Sequence, residues 1–319
     1  MVGTDRLRWP LTLALFGATA IVAAFSGVYW IGIATEIAIF AIFALSIDFL
    51  VGYTGLVTLG HAGFMGVGAY ASAYVVHFLG WPPIFAPLVA ILAGIVAGIL
   101  VGLLVNRVAG VFFIMVTLAM SMLFYSWAFK ARSFGGDDGL SVIAEIRPDL
   151  SAIGISLDDP LTFCLMTILF AVLVFALFDW LVRSPFGQTL KAIKQNENRI
   201  RAQGCPTYLY KVAAFTVAGA VAAFAGALRV QRTEFLHPDV SFWIKSGEGL
   251  IVVIVGGMGT LVGPILGSFI YILLHKGIEA YTQYWQIWIG IIFIVIVLLA
   301  TDGVYGRLRS LIRRRGASP

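Results

Sequence analysis

Charged side chains are scarce in this sequence, and long stretches lack them altogether. Only 12% of its residues are Asp, Glu, Lys or Arg and 60% are hydrophobic, against about a quarter charged and about half apolar in an ordinary soluble domain. Five runs contain no charged residue: Phe49–Asn106, Val108–Phe129, Leu161–Phe178, Gly249–His275 and Ala280–Thr301. A helix needs roughly 20 apolar residues to cross a bilayer, and these runs do not alternate as barrel strands do. The pattern therefore predicts an all-α, polytopic membrane protein.

The residues of catalysis and metal binding are also few. The cysteines, Cys164 and Cys205, show no disulfide or metal spacing, and the histidines are scattered without a His-x-x-x-His pair. The glycine-rich passages lack the lysine of a phosphate loop, and no nucleophile motif is present. We therefore predict no enzyme activity, no metal site and no cofactor in this chain. The net charge of +5 comes from basic residues in short loops and tails, so we expect no nucleic-acid partner.

The hydrophobic pattern predicts a single domain over residues 1–319 with about ten spans, eight at the least. The predicted spans are Leu11–Tyr29, Ile31–Val51, Leu56–Leu79, Ile84–Val105, Val108–Phe129, Leu161–Val182, Val212–Val230, Gly249–Val255, Leu261–His275 and Ile287–Thr301. The eighth is too short for a full crossing and is interpreted as a broken or re-entrant element. The first resembles a signal peptide, but its length favours an uncleaved span.

Basic residues predict the orientation of the chain. The loop 183–211 has six basic residues and one acid, and the tail 303–319 has five basic residues. Both should be cytoplasmic, together with the amino terminus. The loop 130–160 has six acids against three bases and should face the periplasm.

The loop 183–211 has the pattern of a single short amphipathic helix outside the bilayer. Ser184 can cap the helix, Pro185 suits its first position, and Gly204 can end it. Apolar residues recur at helical spacing at Phe186, Leu190, Ile193 and Ile200. Because long apolar runs flank it, we expect this helix to be held at both ends by membrane spans.

Two passages that begin Val-Gly-x-x-Gly, at Val51 and Val255, fall at joints between predicted spans. Glycine-interrupted segments often flank the pathway of a carrier, and ionisable groups at membrane depth are candidates for function. The candidate pathway residues are Asp48, Tyr53, Gly55, His61, Glu248, Gly256, Gly257 and Gly259. The alternatives are that Asp48 and Glu36 snorkel or form pairs near an interface, and that His61 is a packing histidine.

Two rows of glycines four residues apart indicate where helices touch. They are Gly94, Gly98 and Gly102, and Gly259, Gly263 and Gly267. We interpret both as packing within this chain rather than as a surface for a partner.

Three stretches resemble the inner-membrane permease subunits of branched-chain amino acid ABC importers, in particular the M-type subunit. They are Gly52–Tyr70, Arg183–Glu197 and Gly256–Gly267, and Gly135–Leu140 also fits. The resemblance covers nearly the whole chain, and Arg183–Glu197 is its most specific part. Gln188 and Lys194 stand where the family often has arginine, and we interpret both as surface changes.

The resemblance implies import through a bacterial inner membrane by alternating access. The implied partners are a homologous second permease, two cytoplasmic ATPases that bind ATP and Mg²⁺, a periplasmic substrate-binding protein and membrane lipid. The loop 183–211 would contain the coupling helix, with its apolar stripe and Glu197 turned to an ATPase. The residues implied in coupling are Arg183, Ser184, Pro185, Phe186, Gly187, Leu190, Ala192, Ile193, Glu197 and Gly204.

Other functions stay open at this point. Urea, short amides or aromatic acids could replace branched-chain amino acids as cargo within the same class. An ion-driven secondary carrier would use Asp48, His61 and Glu36 as relay groups. A coupling helix and an interfacial helix resting on anionic lipid also have the same sequence pattern.

Overall fold

The computed structural model describes residues 8–25, 27–108, 110–142, 149–150, 155–156, 159–299 and 303–307. Nearly all of the chain in these ranges is helical, as the sequence predicts. The helices are α1 Arg8–Phe25, α2 Val28–Asp48, α3 His61–Ala73, α4 Ala86–Val105, α5 Val111–Lys130, α6 Pro160–Arg183, α7 Pro185–Gln195, α8 Glu197–Ala202, α9 Thr207–Thr233, α10 Trp243–Gly256, α11 Val262–Glu279 and α12 Trp285–Leu299. Two π-helical segments, Phe49–Thr54 and Tyr74–Phe78, continue α2 and α3.

Two pairs of short strands depart from the all-α prediction. Strand β1 (Leu140–Ser141) pairs antiparallel with β4 (Phe235–Leu236), and β2 (Asp149–Leu150) pairs with β3 (Ile155–Ser156). Two residues are too few to show the alternation that marks a strand in a sequence. The β1–β4 pair joins the loop 130–160 to the end of α9.

Parts of the predicted loops lie outside the described residues. Residues 143–148, 151–154 and 157–158 of the loop 130–160 are among them, as are residues 308–319 of the basic tail and 1–7 at the amino end.

Among the described residues, six helical segments are long and apolar enough to cross a membrane. They are Arg8–Phe25, Val28–Thr54, Pro83–Val105, Val111–Lys130, Pro160–Arg183 and Thr207–Thr233. This makes the chain a multi-pass membrane protein, while the predicted count of eight to ten spans is not confirmed. Helix α10, which contains the predicted eighth span, has 14 residues and is about 21 Å long, less than the ~30 Å of a bilayer core.

Helix α2 lies at the centre of the molecule. Every residue from Ile37 to Thr54 is buried, and the helix contacts α1, α6, α9, α10 and α11. A helix that is apolar all round has no preferred outer face, so it is stable only where other helices surround it.

Glycines allow α4 and α9 to pack closely. A Cβ atom at Gly98 would lie 2.7 Å from the Cα atom of Thr216, and one at Gly94 would lie 2.9 Å from Ala220 Cα. Side chains would separate these backbones, and close backbone approach is how helices associate in lipid. In the second row, Gly267 lies against Val252 of α10. The prediction that the glycine rows serve packing within the chain is confirmed.

Candidate functional site

The loop between α6 and α9 forms two helices, and the prediction of a single helix is wrong. Ser184 caps α7 by accepting a hydrogen bond from Gly187 N at 3.3 Å, and Pro185 stands at the first position. The chain breaks at Asn196, where the backbone is extended with φ −160°. The Asn196 side chain accepts from Arg199 N at 3.0 Å and so caps α8. An asparagine that can bond its local backbone competes with helix continuation.

The apolar stripe of α7 is covered by the protein itself. Leu190 and Ile193 are buried, and Phe186 stacks on Tyr210 of α9 with ring centroids 5.6 Å apart. Ala192 is partly exposed. The expectation that this stripe faces an ATPase is therefore wrong for its most buried residues, because the stripe seats α7 against α9 and the end of α2.

Tight packing fixes the start of α7. A Cβ atom at Gly187 would overlap the Leu181 carbonyl oxygen and would lie 2.6 Å from Val182 Cα. At the other end of the loop, Gly204 has the left-handed φ of +84° that ends α8. Both glycines therefore stand where a larger side chain would disturb the loop.

The start of the loop is held by Asp179, a buried residue that the motifs do not reveal. Its carboxylate accepts from Arg183 Nε at 3.0 Å and from Trp9 Nε1 at 3.1 Å. Arg8 lies 3.8 Å away. The available signal was a lone acid in an apolar run, four residues before a basic one, since such pairs face each other on a helix.

Glu197 ties α8 to the start of α9. Its carboxylate pairs with Lys211 and with Arg201, the latter at 3.0 Å, and accepts from Thr207 Oγ1 at 3.2 Å. Burial alone would raise the pKa of Glu197, but the bonds and charges of these partners outweigh it and lower the pKa. The role of Glu197 in docking an ATPase stays a prediction, while within the chain it anchors the loop.

Asp48 joins the end of α2 to the turn between α10 and α11. Its buried carboxylate accepts from Gly259 N at 2.6 Å and from Leu261 N at 3.2 Å. Leu261 has a φ of +63°, a conformation that is uncommon outside glycine. The two bonds hold this strained turn, so the pairing alternative describes Asp48 better than snorkelling does.

The two Val-Gly-x-x-Gly passages contact each other in space. A Cβ atom at Gly52 would lie 2.6 Å from Gly259 N and 2.7 Å from its Cα. Gly257 and Gly259 have φ of +121° and +76°, and Gly256 packs on Gly263. We call this contact between residues 48–55 and 256–261 the glycine joint.

Lys194 connects α7 to the glycine joint. It is exposed, as expected of a surface position, but its ammonium group also bonds within the chain. Its ammonium group donates to Gly52 O at 2.6 Å and lies 3.4 Å from Val51 O. Its methylenes lie against Gly55, which has a φ of +77°. Burial lowers the pKa of Lys194, and the charge of Asp48 opposes this shift.

The candidate pathway residues do not form one cluster. Tyr53 is buried beside the joint, with Lys191 Nζ 5.6 Å from its ring centroid. His61 is buried elsewhere, with Nε2 2.8 Å from Ser46 Oγ. Glu248 bonds Lys245 at 2.9 Å and lies eight residues before Gly256, about 12 Å along α10.

Glu36 forms an ion pair. Its carboxylate lies 3.2 Å from an Arg232 nitrogen at the end of α9, with both side chains partly exposed. The pairing alternative for Glu36 is thereby confirmed.

A cavity of about 570 Å³ opens between α3, α4, α5 and α9. Gly63 and Phe64 line it from α3, Gly60 lines it just before that helix, and Phe215 lines it from α9. Most of its surface is apolar, so it suits an aliphatic group better than a charged one.

These helices, with a helical loop seated between two segments long enough to span, define a polytopic α-helical membrane protein. A family model described as "Branched-chain amino acid transport system / permease component" matches residues 29–300, and the chain belongs to this family. The resemblance noted in the sequence is thereby confirmed.

Individual relatives agree with the family. The protein named "High-affinity branched-chain amino acid transport system permease protein LivM" of Salmonella typhimurium is 27% identical over 296 residues, 86% of this chain and 69% of the relative. The Escherichia coli protein of the same name is 26% identical over the same shares. The "Autoinducer 2 import system permease protein LsrC" of Photorhabdus laumondii is 28% identical over 46% of this chain and 45% of its own. No solved structure matches.

Proposed function

We propose that this chain is the permease subunit of an ABC importer that moves branched-chain, hydrophobic amino acids from the periplasm to the cytoplasm. The family match over residues 29–300 carries the proposal. The two LivM relatives, each aligned over 86% of this chain, support the cargo. The protein itself would bind no ATP, and hydrolysis would take place in partner subunits.

The positive-inside rule places the loop 183–211 in the cytoplasm with both termini, and the loop 130–160 in the periplasm. The helix pair α7–α8 then faces one of the two ATPases, and a second, homologous permease completes the pathway in the bacterial inner membrane. Because Leu190 and Ile193 are buried, the surface offered to an ATPase is the polar side of the pair. Exposed residues there include Gln195 and Arg199.

Transport by alternating access requires that ATPase movement reaches the spans. Helix α7 follows α6 with only Ser184 between them, and α8 leads to α9 through residues 203–206. Because these connections are so short, a displacement of α7–α8 would move the ends of α6 and α9. At the glycine joint beside α7, the two hydrogen bonds of Asp48 fasten the end of α2 to the α10–α11 turn, so a displacement of one would be carried to the other.

A hydrophobic cargo fits the apolar cavity between α3, α4, α5 and α9. Leucine, isoleucine and valine present an aliphatic side chain to such a lining, whereas urea and short amides do not. The autoinducer 2 relative favours a second candidate, a small polar cargo, but it aligns over only 46% of this chain. An ion-driven carrier has less support, because the Asp48 carboxylate is occupied by two backbone N–H groups.

The test is uptake by proteoliposomes that contain this chain, its cognate second permease and ATPases, and the cognate binding protein. We expect uptake of radiolabelled leucine that requires internal ATP and is unaffected by proton or sodium ionophores. Uptake that collapses with an ionophore and ignores ATP would establish the carrier instead. ATP-dependent uptake of urea, an aromatic acid or a sugar-like solute, without leucine uptake, would keep the class and change the cargo.

A further inference from the structure

Helix α2 and its π-helical continuation end in carbonyl groups that the helix itself cannot pair. The last carbonyls of any helix lack an intrahelical N–H, and they carry partial negative charge. Leu50 O accepts from the N–H groups of Gly55 and Leu56. The carbonyl oxygens of the next two residues lie near Lys194 Nζ, Gly52 O at 2.6 Å and Val51 O at 3.4 Å. An ammonium group at a helix carboxyl end is favourable both as a donor and as a charge.

The residue that Lys194 holds is also the residue that touches the turn between α10 and α11. The backbone of Gly52 is in contact with that of Gly259. Gly259 N donates in turn to Asp48 at 2.6 Å. Asp48 closes the path by accepting from Leu261 N, next to the start of α11. The three elements α7, α2 and α11 therefore meet through one lysine, two glycines and one carboxylate.

Resting on the proposed function, we propose that Lys194 is the positioning residue that transmits displacement of α7 to the glycine joint. The apolar contacts of the buried α7 stripe constrain the direction of a displacement only weakly, because apolar contact does not depend on orientation. A charge-assisted hydrogen bond has a fixed direction and is about twice as strong as a neutral one. When α7 moves, Lys194 would pull on the end of α2, and the contacts of Gly52 and Asp48 would carry that shift to α11.

The first test compares Lys194→Met with Lys194→Arg in the reconstituted transporter. Methionine keeps much of the side-chain length but donates no hydrogen bond, whereas arginine donates. We expect Lys194→Met to lower uptake about tenfold, the loss of roughly one charge-assisted bond, while ATPase assembly and ATP hydrolysis stay within about twofold of wild type. Lys194→Arg should recover most of the uptake. Lys276→Met is the matched control, since it removes a lysine that pairs with Glu279 at the carboxyl end of α11.

The second test is independent of transport. Amide hydrogen exchange in detergent should become faster in residues 49–56 and 256–263 of Lys194→Met, and remain unchanged in Lys276→Met. Unchanged exchange in those segments, or uptake within about twofold of wild type in Lys194→Met, would overturn the proposal. Loss of ATPase assembly in that variant would also overturn it, because Lys194 would then be a docking residue. Absence of ATP-dependent uptake in the wild type would instead count against the proposed function, and the exchange result would still stand.

Discussion

At the scale of single residues, Asp48 carries the most constrained set of contacts. Two backbone N–H groups of the partly buried α10–α11 turn depend on one carboxylate. An unpaired buried donor costs about 1–3 kcal/mol. The carboxylate therefore compensates for the conformational strain at Leu261, which has a positive φ.

Replacing Asp48 should lower stability in a graded way. Asp48→Asn keeps one acceptor oxygen and should lose less stability than Asp48→Ala. Asp48→Ala leaves both donors unpaired and should lose about 2–5 kcal/mol of stability. Thermal unfolding in detergent, followed by tryptophan fluorescence, measures the order. Asp138→Ala on an exposed turn is the control. Equal unfolding midpoints for Asp48→Ala and wild type would contradict the assignment.

Gly187 gives a second prediction at this scale. Valine there would push against the carbonyl of Leu181 and the backbone of Val182, so the entry into α7 would shift. Overpacking of this kind costs typically about 1–3 kcal/mol. We expect membrane insertion at normal levels but reduced uptake. Gly17→Val serves as control, since a Cβ at Gly17 meets nothing within 4 Å; normal uptake by Gly187→Val would show that the entry geometry is unimportant.

At the scale of elements, the break between α7 and α8 depends on a single cap. Asn196→Ala removes the acceptor for Arg199 N and should destabilise α8 by about 1 kcal/mol. Hydrogen exchange of residues 197–202 should rise, while exchange within α7 should not. Asn198→Ala, at an exposed position of α8, is the matched control. If both variants exchange alike, Asn196 is not the cap that sustains α8.

The anchoring of α8 to α9 should weaken at acid pH and at no higher pH. The folded-state pKa of Glu197 is lowered below its ordinary value of 4.5, so its stabilising contribution is present above that pH and is lost as pH falls through the lowered value. Proteolysis of the loop should therefore be constant from about pH 5 to 8 and faster in stronger acid. Glu197→Gln should be cleaved faster at neutral pH as well. Sensitivity that changes between pH 6 and 8 would point to a different group.

The sequence predicts those features that depend on neighbouring residues, and it does not predict contacts between residues far apart in the chain. The helices from α4 to α6 follow from charge-free runs, and the cap at Ser184 follows from local chemistry. The break at Asn196 was missed because apolar spacing continues across it to Ile200. The Lys194 bond was missed because it joins residues 142 positions apart, and a lysine on an amphipathic helix has the same pattern as a surface residue.

At the scale of the whole molecule, the side of the membrane on which the loop 183–211 lies can be tested directly. Cys205 lies in the loop and is partly exposed, whereas Cys164 is buried in α6. A membrane-impermeant maleimide should label Cys205 in inside-out vesicles and leave intact spheroplasts unlabelled. Cys205→Ser should abolish the signal, because buried Cys164 is shielded. Labelling of Cys205 in intact spheroplasts would reverse the orientation.

The contacts of Asp179 make the first turn of α1 a suitable position for a label that reports on the loop. Trp9 and Arg183 bond the same carboxylate, so the first turn of α1 is fastened beside the point where α6 passes into α7. A fluorophore or spin label on the first turn of α1 would lie near the loop without altering any loop residue. Movement of α7 during turnover could then be followed from the amino end of the chain.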